Sequence, residues 1–274
     1  FILAGYTRRS NKGVHILNIS LDKPEIDGLN SKDTIGSGPG KREETPYMSL
    51  VDSDVRDHSR LLLNIEDPSY MALDADKLFV LSSGDEGGVK AYNFDRKREV
   101  LRPIGGVDML GKAPCHLYFD RDKSLIYASN YHLGRLDILL LNEDGLSLAG
   151  SICLEGRGPI SPNQDGPRCH MAIKDPSDRF TLVVNLGGDR VETYYIDTEG
   201  YDLVSSYHTR PGMGPRHMVF GPGGRHVYLM GELDSTVEVL AYDSAKGILK
   251  SISRVSSLPE GSESFTGNSG AAIK

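Results

Sequence analysis

Three things are missing or few in this chain of 274 residues: cysteine, long apolar runs and any excess of positive charge. The three cysteines, Cys115, Cys153 and Cys169, argue against a disulfide framework. Residues 1–20 lack the basic-then-apolar layout of a secretory signal, so a reducing cytoplasm is the expected compartment. No apolar run approaches the ~18 residues of a membrane span, which argues against a membrane protein. The net charge of −7, with no basic stripe to offset it, argues against broad nucleic-acid binding and leaves room for a local basic pocket facing a small anion. Metal-ligand spacings are missing as well. There is no CxxC or HxxxH, and although Cys115 and Cys169 each precede a histidine, adjacent residues of a strand point to opposite faces and do not easily share an ion. No metal and no cofactor are expected. The segment "GSGPGK" at 36–41 is not a phosphate loop, because Ile35 and Arg42 stand where such a loop needs Gly and Ser or Thr.

What is present is a repeat. "DPSY", "APCH", "GPRCH" and "GPRH" end at Tyr70, His116, His170 and His217, spaced by 46, 54 and 47 residues, and each opens an apolar run. A period near 50 points to a radial or stacked array. Within each copy the apolar stretches are short, rich in Val, Ile, Leu, Tyr and Phe, and separated by Gly, Asp, Asn and Ser, which is strand grammar. "DADK", "DRDK", "DPSD" and "GPGG" supply the tight connection after each first strand. Four strands per unit match the blade of a β-propeller.

The expected fold is therefore all-β, a propeller of four-stranded antiparallel blades. Residues 1 to about 29 supply part of one blade, four full units follow, and "GNSGAAIK" at the end aligns with the opening of another copy. Set against a ring of roughly seven blades, this predicts a single propeller domain over 1–274 that is C-terminally incomplete, with about two more units beyond Lys274. Residues 30–62 read as a polar insertion between blades.

In a propeller the first strand of each blade lines the central channel. Tyr70, His116, His170 and His217 are expected on one arc at its mouth, and the hairpins return to the same edge at Ser83, Asn130, Asn185 and Gly231–Glu232. That places Asn130 near His116, Asn185 near His170 and Glu232 near His217, with Arg168 and Arg216 adding positive charge. Polar residues at such positions can simply tie neighbouring blades together. Ties of that kind would be uniform around a ring, whereas this series runs Tyr, His, His, His and then Gly270, as a shaped pocket does. His15, His58, His208 and His226 fall in turns, strand ends or the insertion. His132, just after Asn130 and Tyr131, is the exception that can reach the channel.

On these residues the chain resembles the lactonase family of seven-bladed β-propellers, which includes cycloisomerase-type 6-phosphogluconolactonases and is related to carboxymuconate-lactonizing enzymes. The resemblance rests on "DPSYMALD", "GKAPCHLYFD", "ASNYHLG", "NQDGPRCHM", "VNLGGDRVETY" and "GMGPRHMVFGPGGRHVYLMGELDSTVEVLAYD". It implies that the rim is the active site, with His116, His170, Arg216, His217 and Glu232 on the motif positions. One departure is Arg168, where the family usually carries a second histidine. The expected activity is metal-free hydrolysis of a sugar-acid lactone, 6-phosphogluconolactone to 6-phosphogluconate in the pentose phosphate pathway. A neutral histidine acts as base, and the three imidazoles remain equal candidates. Glu232 orients His217 or takes the proton itself. Arg168 and Arg216 hold the anionic group through forked bonds, Asn130 and Asn185 donate to hydroxyls or the oxyanion, and Tyr70 completes the wall. A muconate-type cycloisomerase and a non-catalytic binding scaffold are the alternatives.

Overall fold

The structure, a computed structural model, describes residues 2–3, 14–17, 59–65, 67–83, 87–109, 112–260 and 267–274. These form nineteen strands in five antiparallel sheets and, among the described residues, no helix. A three-stranded sheet joins β1 (Ile2–Leu3), β2 (Val14–Leu17) and β3 (Ser59–Leu63). Four four-stranded meanders follow. The first holds β4 (Pro68–Asp74), β5 (Lys77–Ser82), β6 (Gly88–Asp95) and β7 (Val100–Asp108). The second holds β8 (His116–Asp120), β9 (Leu125–Asn130), β10 (Arg135–Asn142) and β11 (Gly145–Cys153). The third holds β12 (Cys169–Lys174), β13 (Thr181–Asn185), β14 (Arg190–Ile196) and β15 (Tyr201–His208), and the fourth β16 (Pro215–Phe220), β17 (His226–Gly231), β18 (Thr236–Asp243) and β19 (Ile248–Ser256).

Neighbouring meanders meet through their first strands, β4 beside β8, β8 beside β12 and β12 beside β16. This is the fan of a propeller with the first strand of each blade innermost. Burial follows from that placement. β9 and β13 are buried along their whole length because adjacent sheets cover both faces, and their sequences, "LIYASN" and "TLVVN", are accordingly apolar with little alternation. β15, a fourth strand on the outside, is largely exposed. Cores form between sheets. Leu125, Tyr127 and Leu136 pack against Ala172 and Val183 of the next blade, and Leu182 and Val184 pack against Met218 and Leu229 of the one after.

Polar ties reinforce the innermost layer. Lys174 at the end of β12 reaches back to Asp120 at the end of β8, 3.1 Å away, and both side chains are almost wholly buried. Tyr127 donates to the same carboxylate at 3.0 Å. Arg121 grips Asp74 of the preceding blade through both ends of its guanidinium.

Two sequence expectations need adjustment. Residues 59–62, assigned to the polar insertion, belong to β3, which is ladder-bonded to β2; the earlier part of that insertion, including His58, lies outside the described residues. Residues 267–274, aligned with a first strand, carry no ladder. Their position is nonetheless that of an inner segment: Gly270 donates its backbone N–H to the Glu232 carbonyl at 3.0 Å, and Ala272, Ile273 and Lys274 line the channel with Met218 and Phe220.

Candidate active site

The site is set by bulges where first strands begin. In the first blade Pro68 pairs with Ser82 and Tyr70 with Leu81, leaving Ser69 as the extra residue; in the fourth, Pro215 pairs with Gly231 and His217 with Met230, leaving Arg216. A bulge turns the extra side chain out of the regular alternation. In the third blade Cys169 pairs with Asn185 and Met171 with Val184, so the extra residue is His170. The motif there is one residue longer, Pro-Arg-Cys-His against Pro-X-His. His170 therefore shares the register of Ser69 and Arg216. The single arc of Tyr70, His116, His170 and His217 expected from sequence becomes Tyr70, His116 and His217, with Met171 in the fourth place and His170 one step away.

A cavity of about 510 Å³ opens beside these bulges, lined by Tyr70, Tyr131, His132, His170, Arg216, His217 and Glu232 among others. Its aromatic walls are continuous. The ring of Tyr70 lies 4.8 Å from His116, His116 lies 5.8 Å from His217, His217 lies 5.2 Å from His170, and His170 lies 5.8 Å from Tyr131. At the floor Glu232 makes a short ion pair with Arg216 and places a carboxylate oxygen 4.0 Å from His170 Nε2. Glu232, expected beside His217, shares the cavity with it and has as its ion-pair partners Arg216 and His170, the two residues of the bulge register. Arg216 Nε is buried with no hydrogen-bond partner among the described residues, so the guanidinium keeps donor capacity beyond its carboxylate.

The other sequence-predicted residues divide. Tyr70, His170, Arg216, His217 and Glu232 line the cavity; His116 lies beneath it, 2% exposed, packed under Tyr70 and His217. Asn130 and Asn185, expected to meet substrate, are fully buried and bonded to backbone. Asn130 donates to the Lys112 carbonyl at 2.7 Å and accepts from Leu133 N–H, and Asn185 donates to the Glu155 carbonyl and accepts from the N–H groups of Arg168 and Gly188. Ser83 and Glu232 face the cavity as expected, whereas at the second blade the side chain that faces it is the next residue, Tyr131. His132, expected as the histidine that can reach the channel, lines the cavity, and Tyr131 beside it is the pocket residue that the sequence expectation lacks. Arg168 stands over the Tyr131 ring, 5.4 Å from its centre. Two further residues shape the site from outside. Asp189 takes hydrogen bonds from Gly212 and Gly214 at 2.7 and 2.8 Å, fixing the loop that delivers Arg216, and buried Gln164 donates to the Leu186 carbonyl, fixing the loop that delivers Arg168.

Burial decides the protonation of the imidazoles. It pushes His116 down to about 3 with help from His217, His170 down to about 2 with help from Arg216, and His217 down to about 4, again with Arg216. All three are neutral at pH 7. The Cys115 thiol is pushed up to about 12 by burial and donates to the His170 carbonyl, which removes it as a nucleophile. Among the described residues no group of three or more His, Cys, Asp or Glu side chains is arranged to hold a metal ion.

These shifts bear on stability. A histidine held below its unfolded value of ~6.5 binds its proton more readily when unfolded, so its share of stability is intact above that pH and is lost as pH falls toward the folded value. His116 and His170 are each expected to cost on the order of 1.4 kcal/mol per pH unit between pH ~6.5 and ~4. Urea unfolding at pH 7, 6 and 5 checks this, with His116→Gln flattening the slope by one proton; an unchanged slope would show that His116 is not held neutral.

The lactonase family of seven-bladed β-propellers matches residues 50–274 of the chain. A 6-phosphogluconolactonase of Bacillus subtilis is 31% identical over 220 residues, covering 78% of this chain and 62% of that protein. Among solved structures, a Lactobacillus plantarum protein superposes with a TM-score of 0.71 at 32% identity, over 78% of this chain and 62% of its own. A periplasmic gluconolactonase of Pseudomonas aeruginosa does so with a TM-score of 0.68 at 25% identity, over 77% of this chain and 62% of its own. The chain thus spans about three fifths of the length of each of these proteins. With the blade meanders and the family match in agreement, the chain belongs to the seven-bladed β-propeller lactonase family.

Proposed function

We propose that the protein hydrolyses a sugar-acid lactone, with 6-phosphogluconolactone as substrate and 6-phosphogluconate as product, a cytoplasmic step of the pentose phosphate pathway. The observation that carries this reading is the shared carboxylate of Glu232, lying between Arg216 and His170 at the floor of a cavity walled by neutral imidazoles. The family membership and the Bacillus subtilis relative support the same chemistry.

Hydrolysis of the ring ester needs a proton acceptor for the attacking water and donors for the oxyanion. His170 is the acceptor: among the described residues it is the one rim imidazole with a carboxylate within 4.0 Å to compensate its positive charge. In the free site burial and Arg216 keep its proton affinity low. When the lactone carbonyl oxygen takes over donors of Arg216, Glu232 is released toward His170 and raises that affinity at the step that uses it. Water adds to the carbonyl carbon as its proton passes to His170. Arg216 and an N–H of neutral His217 hold the oxyanion. The tetrahedral intermediate then collapses, the ring C–O bond breaks, and His170 returns the proton to the leaving oxygen.

The competing reading, a cycloisomerase acting on a muconate-like diacid, uses the same basic residues for carboxylates. Two substrates separate them. Freshly made 6-phosphogluconolactone should disappear faster than its spontaneous hydrolysis, while a carboxymuconate should keep its diene absorbance; the opposite pattern would favour the cycloisomerase, and no change in either the binding scaffold.

A further inference from the structure

We propose that Arg168 and His132, which flank the ring of Tyr131, together with Lys112, whose carbonyl is bonded to the adjoining Asn130, form a phosphate subsite beside the cavity, separate from the Arg216–Glu232 floor. The inference rests on the lactone reading above and deepens it: the subsite selects lactones that carry a phosphate monoester on a carbon outside the ring.

Four observations converge. Arg168 lies over the face of Tyr131, 5.4 Å from its centre, while the edge contacts of that ring reach His132 at 5.4 Å and His170 at 5.8 Å. Tyr131 therefore links the cation to the cavity wall. The basic groups are also close enough to feel one another, since Lys112 and Arg168, after burial, hold the His132 value down. A bound phosphate dianion would reverse that balance.

The charges are uncommitted. Arg121, Arg210, Arg216 and Arg254 each hold a carboxylate within ion-pair distance, whereas among the described residues none is paired with Arg168 or Lys112. A planar guanidinium with free donors is the side chain best matched to phosphate oxygens.

The backbone at both basic residues is held by the buried asparagines. Asn130 holds the Lys112 carbonyl at 2.7 Å, and Asn185 holds the Arg168 N–H at 3.1 Å while the Arg168 carbonyl accepts from Leu186 at 2.9 Å. Both amides are fully buried. Each spends itself on the backbone of one basic residue, which fixes where that side chain leaves its loop. Arg216, already bonded to Glu232, serves the reacting end.

The test is a ratio measured on the full-length protein: kcat/KM for 6-phosphogluconolactone over kcat/KM for unphosphorylated gluconolactone. Loss of a charge-assisted anion contact is expected to lower that ratio roughly 10-fold to 100-fold in Arg168→Ala. Arg168→Lys should recover part of it. Lys112→Ala, at an exposed position that the fold tolerates, should lower the ratio several-fold, and the two losses should combine. Arg216→Ala should lower kcat/KM for both lactones together and leave the ratio in place. Calorimetry with 6-phosphogluconate and gluconate gives a readout free of turnover, since only the phosphorylated acid should lose affinity in Arg168→Ala. If both lactones are hydrolysed yet the ratio is unmoved in Arg168→Ala and Lys112→Ala, the subsite is wrong and the lactonase reading stands. If the wild type hydrolyses neither lactone, both fall.

Discussion

Replacing His170 by alanine is expected to lower kcat on 6-phosphogluconolactone by roughly 10³-fold, within the ~10² to 10⁴ range for loss of a general acid or base. The effect should fall on kcat because His170, 6% exposed in its side chain, faces the reacting end beside Glu232 while anion binding rests on arginines. Glu232→Gln should produce a loss of similar size, since the amide cannot compensate an imidazolium. The double variant should then be little worse than the more damaging single change, because residues acting as one unit lose their contribution once. His116→Ala provides the contrast. His116 lies beneath the cavity and touches Tyr70 and His217, so its loss should disturb packing and spare most of the chemistry. Steady-state rates for the four variants check the assignment, and equal effects at His116 and His170 would point to a packing role for both.

The second large effect concerns stability. Lys174→Met is expected to destabilise the fold by about 3 to 5 kcal/mol, because it strands the Asp120 carboxylate in the innermost layer between two blades. Asp120 would keep the Tyr127 hydroxyl at 3.0 Å and the Lys123 N–H at 3.3 Å, which lessen the cost without neutralising the charge. Adding Asp120→Asn should recover most of the loss at pH 7. Urea unfolding of the single and double variants reads this directly, and a single variant within about 1 kcal/mol of wild type would show that the pair is worth no more than a surface bridge.

The propeller was legible in the chain because each blade repeats the same local chemistry: a proline at or just before the start of the first strand, a polar turn after it, then a run such as "LIYASN" or "TLVVN" that suits a strand covered on both faces. The site was legible in its inventory and less so in its register. One extra residue in Pro-Arg-Cys-His moves His170 onto a bulge, and a one-residue step on a strand reverses the face a side chain serves. That is why Glu232 has Arg216 and His170 as its ion-pair partners, and why Tyr131 faces the cavity while Asn130 turns into the loop. Asp189 and Gln164 stand within the resemblance motifs "VNLGGDRVETY" and "NQDGPRCHM", yet nothing in a single Asp or Gln distinguishes a loop clamp from a solvated side chain. The tyrosine was within reach: it stands between Asn130 and His132 in "SNYH", one step from the position chosen.

The most direct measurement is acid release in a pH-stat from freshly prepared 6-phosphogluconolactone, with the full-length protein, its His170→Ala variant and no protein compared under one set of conditions. The expected result is rapid release with the wild type and a rate close to spontaneous hydrolysis with the variant. Release at the spontaneous rate with the wild type, or at the wild-type rate with His170→Ala, would contradict lactone hydrolysis by the His170–Glu232–Arg216 floor.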